Sequence, residues 1–79
     1  MNQDELLKVL RKQPFEPFRL CLSDGTTFDI RHPDQCSVGR TTAYVGVPRR
    51  EGKRSFQDIV TCALLHITHI EPLLDSARK

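Results

Sequence analysis

The sequence predicts a mainly β domain, in which one N-terminal helix packs on a small five-stranded barrel. Residues 18–31 alternate apolar and polar side chains on either side of an Asp-Gly turn, a pattern typical of a β-hairpin. Residues 59–70 are rich in β-branched side chains, which favour strands. The 79 residues are enough for one domain, with the helix over about 3–12, the barrel over about 17–72 and a frayed tail over 73–79.

The N-terminal helix has a clear start and a clear stop. Asn2 is a good N-cap, and Glu5 completes a capping-box pattern with it. The apolar stripe that follows consists of Leu6, Leu7, Val9 and Leu10. Pro14 disfavours helical geometry in the residue before it, so the helix is expected to end near Lys12. Since three turns are marginal alone in water, this helix must pack on the rest of the domain.

The phase of the side chains decides the length of the first hairpin loop. A two-residue loop would place Leu20 opposite Asp29 and mix apolar with polar residues on one face. A three-residue loop over residues 23–25 places Leu20 opposite Phe28 and puts Gly25 in the left-handed region, where a side chain is penalised. The same register pairs Phe18 with Ile30 and Leu22 with Thr26. The sequence therefore predicts the three-residue loop.

The middle of the chain predicts one further strand and a basic loop. Pro33 cannot donate to a central ladder, so the second strand ends before it. Residues 38–47 are rich in β-branched side chains and are expected to form a strand with a bend at Gly39. Residues 48–55 form a polar loop that carries four basic side chains.

The last segment allows two interpretations. Ser55 and Asp58 fit a capping box for a helix over residues 56–71, but the β-branched composition favours two strands joined by a turn at residues 64–66. We prefer the strands, which would supply enough pairing to close a barrel. The expected core residues are Phe18, Leu20, Leu22, Phe28, Ile30, Val45, Val47, Ile59, Val60 and Leu64.

Composition excludes several classes of protein. A net charge of +2 is too small to indicate a dedicated nucleic-acid binder, although it does not exclude a local basic patch. There is no apolar run near the roughly 18 residues of a membrane span, and the acidic N-terminus does not resemble a signal peptide, so we expect a cytoplasmic protein without a membrane partner. The odd number of cysteines and the lack of a CxxC motif favour reduced thiols over disulfides.

Four segments together resemble a family of short uncharacterised bacterial proteins that is frequent in planctomycetes. They are Pro14-Phe15-Glu16-Pro17-Phe18-Arg19, Asp24-Gly25, Arg31-His32-Pro33 and Leu64-Leu65-His66-Ile67. The likeness covers residues 5–72. It implies no activity, and the family tends to hold apolar residues at the positions of Cys36 and Cys62.

A second likeness concerns the fold. Residues 7–11 resemble the end of the helix of bacterial Sm-like RNA chaperones, and residues 22–25 are similar to the turn after their first strand. This resemblance implies an SH3-like or Sm-like barrel that assembles into rings and binds RNA. His66 lies where these proteins carry a Lys-His pair that contacts RNA, but Leu65 replaces the lysine. A shared fold alone does not imply a shared function.

Two constellations offer binding chemistry. Arginine and lysine side chains suit phosphate groups, and the residues for a nucleic-acid site are Arg40, Arg49, Arg50, Lys53, Arg54 and His66. Thiol and imidazole groups suit zinc, and the residues for a metal site are His32, Cys36, Cys62 and His66. Their spacing does not match a common zinc motif, and each set is also compatible with a purely structural role.

No pattern in the chain predicts catalysis. Cys36 with His32, and Cys62 with His66, are the pairs that nucleophilic chemistry would require, but neither thiol lies in an electropositive niche. There is no glycine-rich phosphate loop, and no cofactor is expected. We therefore expect a non-catalytic binding or assembly module that is a candidate for oligomerisation, with a protein (self or other) as the partner. The alternatives are RNA binding through the basic loop and a small zinc-binding protein.

Overall fold

The structure is a computed structural model that describes residues 1–48 and 56–73. Its elements are α1 (Gln3–Leu10), β1 (Phe18–Leu22), β2 (Thr27–Ile30), a first 3₁₀ turn (Pro33–Gln35), β3 (Cys36–Val38), β4 (Thr42–Pro48), β5 (Phe56–Ala63), a second 3₁₀ turn (Leu64–His66) and β6 (Ile67–Pro72). Most of the basic loop and the end of the predicted tail, residues 49–55 and 74–79, lie outside the described residues.

Helix α1 confirms the predicted capping box. The Asn2 side chain accepts a hydrogen bond from the Glu5 backbone N–H at 2.9 Å, and the Glu5 carboxylate accepts from the Asn2 N–H at 3.0 Å. The helix ends at Leu10, two residues earlier than predicted. It buries Leu6 and Leu10, as its apolar stripe requires.

The first hairpin has the predicted register. Phe18 pairs with Ile30 and Leu20 with Phe28. The Leu22 N–H donates to Thr26 O at 2.9 Å, which closes a three-residue loop. Gly25 lies in this loop with a φ of 91°, in the left-handed region that favours glycine.

The predicted five-stranded barrel is wrong. Six strands form two antiparallel sheets of three strands, in the orders β2-β1-β6 (the first sheet) and β3-β4-β5 (the second sheet), and these do not close on each other. A barrel requires every strand to be paired on both sides. Here the two 3₁₀ turns carry the chain from one sheet to the other, so that β6 pairs with β1 rather than with β5. The expected SH3-like or Sm-like barrel is therefore not the fold of this chain, and the likeness to Sm-like RNA chaperones stays a prediction.

The expected strand over residues 38–47 is a hairpin. The chain reverses at residues 39–41, and β3 and β4 pair through Cys36 with Val45 and Val38 with Ala43. The Gly39 N–H donates to Thr42 O at 2.7 Å across this turn. The prediction of two strands joined by a turn at residues 64–66 is confirmed.

The core lies between the two sheets and under the helix. Its buried residues are Leu6, Leu10, Phe18, Leu20, Ile30, Cys36, Ala43, Val45, Cys62, Leu64 and Ile67. Of the expected core, Leu22, Phe28, Val47 and Val60 are half-buried. Ile59 is 63% exposed, which contradicts the prediction. Adjacent strand residues face opposite sides, so Val60 and Ile59 cannot both point inward.

A buried glutamine connects the two sheets. The Gln35 side-chain amide donates to Asp29 O, at the end of β2, and to Gly46 O, in β4, at 2.9 and 3.0 Å. Its carbonyl oxygen accepts from the Arg31 N–H at 2.9 Å. All the hydrogen bonds that a buried amide needs are therefore made to backbone groups of both sheets.

None of the described helices is long and apolar enough to cross a membrane.

Candidate functional site

The residues predicted for nucleic-acid binding are only partly described. Arg40 lies exposed in the turn between β3 and β4, and His66 lies exposed in the second 3₁₀ turn. The other four, Arg49, Arg50, Lys53 and Arg54, lie outside the described residues. The basic site therefore stays a prediction.

The residues predicted for a metal site are divided between core and surface. Cys36 and Cys62 are buried on strands that flank β4, whereas His32 and His66 are exposed. Burial, with a smaller contribution from Cys62, raises the pKa of Cys36 to about 11. Burial also raises the pKa of Cys62. Both thiols are free. These two groups behave as small apolar side chains, and the geometry does not gather the four residues into one site.

A different set of metal-binding side chains meets on the first sheet. The ligand atoms of Cys21, His69 and Glu71 all lie within 4.8 Å of one another. Among the described residues, these three form the one group of three or more His, Cys, Asp or Glu side chains that are close enough to share a metal ion. Cys21 pairs with His69 across β1 and β6. Since residues two apart on a strand share a face, Glu71 joins His69 on the same side of the sheet. We call these three residues the Cys-His-Glu cluster.

Hydrogen bonds orient the imidazole of the cluster. The Thr68 hydroxyl oxygen lies 3.1 Å from Cys21 O and 3.0 Å from His69 Nδ1, within hydrogen-bond distance of both. Whether Thr68 or the imidazole donates in the second contact depends on which ring nitrogen carries the proton. The other ring nitrogen, His69 Nε2, lies 2.9 Å from Glu71 Oε2.

An arginine lies beside the cluster. Arg19 pairs with Glu71 across β1 and β6, and its Nε donates to Asp29 Oδ1 at 2.8 Å on the β2 side. This hydrogen bond is the main reason that the pKa of Arg19 is raised, and the charge of Glu71 contributes to the same direction. Arg31 approaches the other oxygen of Asp29, at 3.5 Å. Asp29 therefore positions the guanidinium next to the cluster.

The thiol of the cluster is a protonated group near the surface. Burial, and then the negative charge of Glu71, raise the pKa of Cys21. Its Sγ makes one long contact, 4.0 Å from Arg19 O. A raised pKa works against nucleophilic catalysis, because the thiolate is the reactive form. It does not prevent binding of a metal ion, which displaces the proton.

The second sheet ends in a long strand with a free edge. β5 pairs with β4, and no other described strand pairs with it. Ile59 lies opposite Gly46, and Thr61 opposite Tyr44, so that Ile59 and Tyr44 share the outer face. They are 63% and 43% exposed. This face therefore offers apolar side chains beside unpaired backbone groups.

Sequence analysis missed the Cys-His-Glu cluster because the cluster depends on non-local pairing. The alternation in residues 18–22 does place Cys21 on the outer face of β1, and His69 and Glu71 have strand spacing. Nothing local to either segment says that β6 lies beside β1 in this register. Comparison of the chain with protein-family models, with curated proteins and with solved structures found no match. The likeness to the planctomycete-rich family therefore stays a prediction.

Proposed function

We propose that the protein is a non-catalytic assembly module that forms a dimer by pairing the β5 edge with the β5 edge of a second copy. The observation that carries the proposal is the free edge of β5, an eight-residue strand in which the Ile59 side chain is exposed. Unpaired strand edges bind other strands through backbone hydrogen bonds, and proteins normally protect them.

The β5 edge has less protection than the other edges of the two sheets. The edge strands β2 and β3 have four and three residues, which is too short for extensive pairing. β6 ends in Pro72 and carries the polar side chains of His69 and Glu71. Within β5, by contrast, there is no proline and Asp58 is the single charged residue. These differences favour β5 as the assembly edge.

A second copy suits this edge because antiparallel pairing about a two-fold axis is self-complementary. The second sheets of the two copies keep their inner faces on one side only if residues that face inward oppose residues that face inward. Any register in which one residue of β5 opposes its own copy meets this condition. Among these, the registers centred on Ile59 or Val60 place the exposed Ile59 side chain within the interface and join the second sheets of the two copies into one sheet of six strands.

The proposal includes a cytoplasmic location. All three cysteines are free and buried. A reducing compartment would keep them so during folding, when they are transiently accessible.

Sedimentation equilibrium over a wide range of concentrations tests the dimer. The wild-type chain is expected to dimerise, and Ile59→Lys is expected to be monomeric, because the new charge would oppose its own copy or lie next to it in the paired edge. Leu65→Lys is the matched control: Leu65 is 80% exposed, but it lies in the second 3₁₀ turn and not on the edge. This control is expected to remain dimeric.

Amide hydrogen exchange gives a second measurement. The amides of β5 that point away from β4 are expected to be protected in the wild-type dimer and to exchange freely in Ile59→Lys. A wild-type chain that remains monomeric at every concentration would overturn the proposal. So would a dimer that Leu65→Lys dissociates and Ile59→Lys does not.

A further inference from the structure

The side chains of His69 and Glu71 meet on the outer face of the first sheet. His69 Nε2 lies 2.9 Å from Glu71 Oε2. The other ring nitrogen, Nδ1, is hydrogen-bonded to the Thr68 hydroxyl at 3.0 Å, which fixes the orientation of the imidazole.

The position of Cys21 adds a third metal-binding atom. A hydrogen bond between His69 and Glu71 involves two residues only, whereas the Cys21 ligand atom also lies within 4.8 Å of both. We propose that Cys21, His69 and Glu71 bind a divalent cation of the zinc type through Sγ, Nε2 and a carboxylate oxygen. On binding, the thiol loses its proton to solvent as the sulfur–metal bond forms.

The geometry is close to that of a zinc site. Zinc bonds of about 2.0–2.3 Å in a tetrahedron place the ligand atoms roughly 3.3–3.6 Å apart. The three atoms here lie within 4.8 Å of one another, so coordination requires the 2.9 Å separation of His69 Nε2 and Glu71 Oε2 to widen slightly and any separation near 4.8 Å to shorten by about an ångström. His69 and Glu71 are 55% and 49% exposed, which gives a metal ion direct access.

The ligand set also limits the class of metal. Thiolate and imidazole favour zinc and similar transition ions, whereas magnesium and calcium prefer ligands that are all oxygen. Three protein ligands leave a coordination position for water or an exogenous group. Thr68 and Asp29 are the supporting residues: the first orients the imidazole, and the second binds the Arg19 guanidinium that lies beside the cluster. This site is separate from the predicted set of His32, Cys36, Cys62 and His66.

Titration of the untagged full chain with Co²⁺, a spectroscopic substitute for zinc, tests the proposal. We expect one ion per chain, with a thiolate-to-cobalt charge-transfer band and tetrahedral d–d bands that Zn²⁺ abolishes and excess Mg²⁺ does not. His69→Gln, at an exposed position, is expected to weaken binding by about tenfold or more. Cys21→Ser is expected to remove the charge-transfer band, and its far-ultraviolet circular dichroism shows whether it has folded.

Two controls identify the ligands. His66→Gln changes an exposed histidine outside the cluster, and Cys62→Ala removes a buried thiol of the alternative set. Both are expected to keep the cobalt spectrum. Lack of binding at millimolar Co²⁺ would overturn the proposal. A cobalt spectrum that survives His69→Gln, or that either control abolishes, would overturn it as well.

Discussion

At the scale of single residues, Gln35 is a polar side chain that stabilises the contact between the two sheets. It is 6% exposed, and among the described residues it is the one polar side chain that is buried. Its amide and carbonyl satisfy two backbone carbonyls and one backbone N–H that belong to different sheets. The hydrogen bond to Gly46 O is buried and the other two are partly buried. A buried polar group left without a partner costs about 1–3 kcal/mol, so this one side chain avoids a penalty of that order.

Gln35→Leu is expected to lower the free energy of unfolding by about 3 kcal/mol, because it leaves those backbone groups unpaired at similar volume. Urea denaturation measures this change. The isosteric Gln35→Glu keeps the shape but places a carboxylate against two carbonyl oxygens. It is therefore expected to be at least as destabilising at neutral pH. Wild-type stability of Gln35→Glu would show that these hydrogen bonds are unimportant.

The two core thiols make stability depend on pH in the alkaline range. Burial raises the pKa of Cys36 from 9.0 to about 11, so the folded state holds this proton more tightly than the unfolded state does. The contribution is fully present below pH 9 and is lost as the pH rises from 9 to 11. Two pH units correspond to a loss of about 2–3 kcal/mol.

Stability curves at about pH 8, 9.5 and 11, which bracket this window, check the prediction. Wild type is expected to lose more stability than Cys36→Ala between the first and last of these values, although the variant starts from a lower stability because it leaves a cavity. Comparing the slopes of unfolding free energy against pH removes that difference in starting stability. It also removes the contribution of the lysines, which wild type and Cys36→Ala share. Equal slopes would mean that Cys36 is not the group responsible.

At the scale of elements, the first hairpin follows from local chemistry. Asp24 Oδ1 accepts a hydrogen bond from the Thr26 N–H at 2.9 Å, and this bond is the main cause of the lowered pKa of Asp24. Gly25 supplies the positive φ that the turn needs. The turn and the alternation of side chains agree on one register, which is why sequence alone predicts it.

Gly25→Ala is expected to destabilise the chain by about 1–2 kcal/mol, because the left-handed region penalises any Cβ. Among the described residues, no atom lies within 4 Å of the point that an alanine Cβ would occupy, so backbone strain is the cause. Gly39→Ala is the matched control: its Cβ would meet Thr42 O at an ordinary 3.6 Å. Thermal melts of the two variants measure the difference, and Gly39→Ala is expected to be neutral or slightly stabilising. Equal losses from both substitutions would contradict this explanation.

At the scale of the whole molecule, the two proposed sites lie on different sheets. The Cys-His-Glu cluster belongs to the first sheet, between β1 and β6, and the assembly edge belongs to the second sheet. They share no residue. Sites without shared partners usually behave additively.

Dimerisation and metal binding are therefore expected to be independent. Ile59→Lys should keep the cobalt spectrum of the wild type, and His69→Gln should keep its sedimentation behaviour. The double variant should show both losses, each at its single-variant size. A dimer that forms only with metal bound would contradict this independence.

Local patterns predicted the elements better than the assembly of elements. The capping box at Asn2, the hairpin register and the two C-terminal strands all depend on residues close together in the sequence, and the structure confirms them. Exposure of Ile59 was missed because a β-branched side chain suits either face of a strand. The hairpin at residues 39–41 was missed because its turn lacks a strong Asn-Gly or Asp-Gly signal.

Caps, turns and period-two alternation predict where the helix begins, which side chains of the first hairpin face each other and that residues 56–72 contain two strands. The energies of these features act over a few residues. The open sheets, the position of β6 beside β1 and the meeting of Cys21 with His69 became visible only in the folded chain. Those outcomes depend on pairing between residues that are far apart in the chain. Alternation limits such pairing to a face but does not choose the partner strand.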